Sequence, residues 1–129
     1  MPFMTITPVR MLGLGMAVAV LAAPVMAGSI NSNLQIEPGQ TFELGGGQEG
    51  GFTVTGRNTG PVAVVVLGQA PGTKPVERGT VAPGGDVAAK FGPGEMALLR
   101  NTSGTETARL KLKITGDTSS LGMSYSDNS

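Results

Sequence analysis

From Ala108 to Thr115 the chain alternates apolar and polar residues without a break. Ala108, Leu110, Leu112 and Ile114 fall on one side, and Arg109, Lys111 and Lys113 on the other. A helix would scatter those cations around its circumference; only a strand gathers every apolar side chain onto one face. One face packed and one face wet is the condition of an antiparallel sheet lying on a core. Shorter alternations occur in Thr41-Phe42-Glu43-Leu44, in Phe52-Thr53-Val54-Thr55, in Val87 to Phe91, and at Leu121, Met123 and Tyr125. Val62 to Leu67 (VAVVVL) is instead continuously apolar and largely β-branched, which predicts a central strand covered on both sides or lying against a partner. No stretch after residue 28 keeps a 3.6-residue apolar period for three turns.

Turn residues separate these runs. Asn58-Thr59-Gly60, Pro83-Gly84-Gly85, Gly92-Pro93-Gly94 and Asn101-Thr102-Ser103-Gly104 supply the fixed or positive φ of tight reversals. Strands are predicted near 40–44, 52–57, 61–68, 75–81, 86–91, 95–100, 106–115 and 120–125. The fold class is therefore all-β: a small antiparallel β-sandwich, immunoglobulin-like or jelly-roll-like, of seven or eight short strands. The predicted inward set is Phe42, Leu44, Phe52, Val54, Val64, Val66, Val87, Phe91, Leu98, Leu110, Leu112, Ile114, Leu121 and Met123. That supply of apolar residues builds one small core. In the segment Asn58 to Phe91, an Asn-x-Gly turn leads into an apolar strand and Val81-Ala82-Pro83-Gly84 leads into the next. This segment resembles bacterial immunoglobulin-type modules, a likeness that implies a fold and no activity.

Ahead of the strands lies a three-part leader. Met1 to Arg10 carries one basic and no acidic side chain, Met11 to Val25 is apolar and uncharged, and Val25-Met26-Ala27 offers a cleavage site. A secretory signal peptide has this form. The apolar run is 15 residues and ends at Pro24, short of the roughly 20 a spanning helix needs. The expected division is a signal peptide over 1–27, an extended N-terminal segment over 28–39 and one sandwich domain over 40–126. Cleavage after Ala27 gives a periplasmic or secreted protein with no membrane span. A Cys-free exported chain fits a bacterial envelope better than a eukaryotic extracellular setting.

Composition then removes chemistry. The sequence has no His and no Cys, so ordinary zinc, copper, haem or iron–sulfur sites, His-dependent nucleophiles and disulfides are excluded. No cofactor and no metal are expected. Nine Lys and Arg balance nine Asp and Glu, which argues against a broad footprint for nucleic acid. Gly45 to Gly50 spells G-x-G-x-x-G, but strand-like Phe52-Thr53-Val54-Thr55 follows it instead of a phosphate-binding helix, so it is expected to be a flexible surface loop. The carboxylates are scattered and no aromatic platform for sugar accompanies them. The expectation is a non-catalytic binding or interaction module of the envelope or exterior, with an unidentified protein or glycan partner. A self-assembling subunit, using Ser29 to Ile36 as an unpaired strand, and a carboxylate-only hydrolase are the alternatives.

Two places could bind. Arg57-Asn58-Thr59 and Arg100-Asn101-Thr102 form an internal echo 43 residues apart, each offering a guanidinium, an amide and a hydroxyl at a hairpin tip. They would act together only if their hairpins point the same way; otherwise Asn is there simply to turn the chain. Arg109, Lys111 and Lys113, about 7 Å apart along one strand, form an anion-binding alternative, or a face kept wet by charge.

Overall fold

The period-two patterning becomes nine antiparallel strands and no helix in the computed structural model, which describes residues 27–128. The strands are β1 (Ala27–Ile36), β2 (Gln40–Gly45), β3 (Phe52–Asn58), β4 (Val64–Gln69), β5 (Val76–Val81), β6 (Asp86–Phe91), β7 (Met96–Asn101), β8 (Ala108–Asp117) and β9 (Met123–Asp127). They make a four-stranded sheet in the order β1-β8-β3-β6 and a five-stranded sheet in the order β9-β2-β7-β4-β5. The two face each other as a β-sandwich. Every connection except the β4–β5 hairpin carries the chain from one sheet to the other. Except for Ala27, the expected leader lies outside the described residues.

The core is the set of inward residues that alternation demands. Leu110, Leu112 and Ile114 of β8 meet Leu44, Leu99 and Val64 from the opposing sheet, and Phe52 stacks on Phe91 at 5.1 Å between ring centroids. The segment 28–39, expected to precede the sandwich, enters it. β1 pairs with β8 along its whole length and contributes Leu34 and Ile36 to the core. In sequence this is hidden by Ser29, Asn31, Asn33 and Gln35 on the wet face and by Ser32 among the inward positions.

Two predicted inward residues are not part of the core. Leu98 sits between Ala97 and Leu99, which both face the core, so it projects outward. There it pairs with Leu67, and both stay 6% exposed; Leu98 and Pro75 of the β4–β5 loop line the same surface recess. Met123 has inward parity, opposite the buried Leu44 of β2, but is 47% exposed, because β9 is an edge strand at the margin of the core. Leu121, in the turn before β9, packs against the core rim.

Each open side of the sandwich is closed by one long side chain. Between edge strands β5 and β6, Arg78 lies 4.8 Å over the Phe91 ring, donates to the Lys90 carbonyl at 2.8 Å and bonds Glu95 at 2.6 Å. Between β9 and β1, the Tyr125 hydroxyl donates to the Gln35 carbonyl at 3.0 Å while its ring leans on Phe42.

Candidate functional site

The two Arg-Asn-Thr turns do lie at one end of the sandwich. β3 and β7 both finish there, and Asn101 pairs in register with Val64, the first residue of β4. Their asparagines, however, face inward, 0% and 1% exposed. The Asn58 amide nitrogen donates to the carbonyls of Val62 and Val81 at 2.7 and 3.1 Å, and its oxygen accepts from Gly60 N–H at 3.0 Å. Asn101 repeats the device, donating to Ile36 and Glu106 carbonyls at 2.9 and 2.8 Å and accepting from Ser103 N–H at 2.7 Å. Each amide thus serves its own turn and a strand end of the opposite sheet at a crossover. With both N–H donors used and the side chains buried, neither amide is presented to a ligand. An inward Asn also forces the preceding residue outward, and the two strands belong to opposite sheets. Arg57 and Arg100 therefore project from opposite faces of the molecule, and the two tips do not form a joint grip. Thr59 is exposed, while the Thr102 hydroxyl donates to the Ala63 carbonyl at 2.8 Å.

Arg57 joins a different group. The outer face of the four-stranded sheet is assembled in cross-strand rows: Ser29–Thr115–Thr53–Lys90, then Asn31–Lys113–Thr55–Ala88, then Asn33–Lys111–Arg57–Asp86, with Gln35–Arg109 beyond. Strands about 4.8 Å apart and alternate residues about 7 Å apart make this a surface of roughly 14 by 20 Å. It holds five cations (Arg57, Lys90, Arg109, Lys111, Lys113) and the carboxylate Asp86, with a second, Asp117, in the next row at the Ala27 end of β8. Asp86 lies 3.9 Å from Arg57 in a solvent-exposed pair, which offsets little. Arg57 and Lys111 stand directly opposite each other on neighbouring strands, an arrangement that destabilises a sheet. Sequence reading found the stripe on β8 but not its extension, because Arg57 and Lys90 join it only through strand register.

The Gly45–Gly50 loop is pinned at the far end of the sandwich. Gln48 is buried, donates to the carbonyls of Glu95 and Gly92 at 2.9 and 3.3 Å, and accepts from Gly46 N–H at 2.8 Å. It plugs the end of the fold instead of waving over it, which corrects the flexible-loop expectation. The carboxylates have separate structural duties: Glu95 holds Arg78 and Gly92 N–H, and Asp117 accepts from Gly50 N–H at 2.8 Å. Among the described residues no group of three Asp and Glu side chains is placed to hold a metal ion. Compared with known proteins, the chain matches no family model, no curated protein and no solved structure.

Proposed function

We propose that the chain is an exported, non-catalytic binding module that holds an acidic polysaccharide across the outer face of its four-stranded sheet. The observation that carries the reading is the concentration of five cations against two carboxylates on that face, Asp86 at the β6 edge and Asp117 at the end of β8, including the opposed pair Arg57 and Lys111. Like charges held opposite each other have a purpose when an anion lies between them. Around the cations stand Ser29, Asn31, Asn33, Gln35, Thr53, Thr55 and Thr115, donors and acceptors suited to hydroxyls. No aromatic side chain is on this face, so neither base stacking nor a sugar platform contributes, and the reading rests on the charges and the hydroxyl-matching groups. Export rests on the leader pattern of residues 1–27. The strand order supports the jelly-roll alternative. β1-β8-β3-β6 opposite β2-β7-β4-β5 follows two Greek keys with β9 added, and β1 and β2 lie in different sheets, where an immunoglobulin sandwich pairs its first two strands.

Calorimetry of residues 28–129 with a uronic-acid polysaccharide, and with its carboxyl-reduced form, tests the proposal. Binding is expected to the acidic form alone and to weaken as salt rises. Lys111→Glu with Lys113→Glu should weaken it about tenfold or more, whereas Arg100→Ala, on the other face, should leave it unchanged. Equal binding of wild type and the charge-reversed variant would overturn the reading.

A further inference from the structure

A sandwich of two open sheets has four edge strands, and three of them carry protection against pairing. β6 bears Asp86 and Lys90, and Arg78 occupies the Lys90 carbonyl. β5 is broken by a register shift opposite Val66 and Leu67 and carries Glu77 and Arg78. β9 is five residues long and ends in Asp127. β1 differs. It is ten residues long, nine of them after cleavage at Ala27, has no charged side chain and no proline, and keeps an unbroken register with β8, its sole partner strand among the described residues. Long, regular, uncharged edges invite pairing.

The geometry also says which backbone groups are free. The Arg109 carbonyl accepts from Thr59 and Gly60 N–H, and the Lys113 carbonyl from the Thr55 hydroxyl, so odd-numbered residues of β8 turn toward β3. Their register partners on β1 (Ser29, Asn31, Asn33 and Gln35) therefore turn away from β8. The Tyr125 hydroxyl bonded to the Gln35 carbonyl marks that same outer side. Tyr125 thus closes the edge at Gln35, leaving N–H and C=O of Ser29, Asn31 and Asn33 facing outward.

We propose that β1 pairs antiparallel with β1 of a second copy about a two-fold axis at Asn31, making an eight-stranded sheet. Asn31 then faces Asn31 of the second copy, and Ser29 faces Asn33, so the six free backbone groups of each copy are satisfied reciprocally. The facing side chains are amides and hydroxyls with no like charges opposed. The two β8 cation stripes come to lie three strand spacings apart, about 14 Å, beyond the roughly 8 Å screening length at physiological salt. The pairing stops short of the Tyr125 hydroxyl. It does not depend on any anion, and it joins two basic faces into one.

Sedimentation velocity of residues 28–129, without polysaccharide, from about 1 to 100 μM tests this. A dimer populated within that range is expected. Asn31→Pro removes an outward N–H without touching the β8 ladder and should give a monomer with an unchanged far-UV spectrum. Asn31→Glu sets a carboxylate beside Lys113 within the monomer but opposite its own copy in the dimer, so it too should be monomeric, and it carries the test if the proline variant misfolds. Amides of Ser29, Asn31 and Asn33 should exchange slowly in the wild type and fast in Asn31→Glu. A wild type that stays monomeric at 100 μM, or a dimer that survives Asn31→Glu, would overturn the proposal.

Discussion

Asn58→Ala is the most informative single change, because it removes a group placed by sequence on the surface and by structure in the interior. The amide makes three hydrogen bonds, to Val62 and Val81 carbonyls and from Gly60 N–H, at 2.7, 3.1 and 3.0 Å. A buried bond contributes about 1 kcal/mol net, and a partner left unsatisfied costs about 1–3 kcal/mol. With the residue 0% exposed, water reaches these partners only through the space the side chain leaves. The expected loss is about 3–5 kcal/mol, a large share of the roughly 5–15 kcal/mol typical of a domain. Urea unfolding of residues 28–129 would show a lower midpoint with an unchanged slope. Asn58→Asp sharpens the test. It keeps the shape but turns a carboxylate oxygen toward two carbonyls, so burial and repulsion raise its folded-state pKa above the unfolded value of about 3.9. The penalty is then full above the folded pKa and fades as pH falls toward the unfolded one. Relative to wild type, this variant should gain stability on acidification. An Asn58→Ala loss below about 1 kcal/mol, or an Asn58→Asp penalty flat with pH, would refute the assignment of this amide as an inter-sheet tie.

Leu112→Ala, inward on β8 beside Gly56, should cost about 2–5 kcal/mol as a core truncation, read by the same titration. Gly56→Ala should be as damaging or worse: φ is +153° and an added Cβ would lie 2.0 Å from the Lys111 carbonyl oxygen, so little folded protein should be recovered. Arg57→Thr removes one of two opposed cations and should raise stability by a few tenths of a kcal/mol while weakening polysaccharide binding; a loss of stability would mean its bond to Asp86 outweighs the repulsion.

Most of the strands were legible because period two survives in any half-buried strand, and β8 shows it most cleanly with Leu and Lys in strict alternation. β1 was obscured for the opposite reason. Its inward positions, Ile30, Ser32, Leu34 and Ile36, include a serine, and its outward ones are amides and a hydroxyl rather than charges, so the hydropathy contrast is weak. Leu98 misled because Ala97, Leu98 and Leu99 give no alternation at all; only the pairing with Leu67 and the recess it lines with Pro75 explain an apolar side chain on the outer face. For the site, residue type was the false guide. Asn at a hairpin reads as a surface turn residue, and its second use, bridging two sheets from inside a crossover, requires knowing which strand ends lie opposite it.

The same limitation explains why the basic face was underestimated. Net charge sums over the whole chain, and nine against nine suggests a neutral surface. Folding sorts those charges. One face collects Arg57, Lys90, Arg109, Lys111 and Lys113, with Asp86 and Asp117 at its margins. Register does the sorting: every second residue of β8 and β3 is outward, and a one-residue slip would bury the cations and expose Leu110, Leu112 and Ile114. The hydrophobic alternation that fixes the core therefore also fixes the cation spacing, about 7 Å along a strand and 5 Å across. An apolar residue needs only the correct parity to serve the core, but parity alone does not require Arg opposite Lys. Thr or Ser at position 57 would satisfy the same outward site without repulsion, as Thr53 and Thr55 do on the same strand. The fold accounts for where Arg57 points; its charge is accounted for by the exposed pair with Asp86 or by the anion proposed above, and Arg57→Thr separates the two.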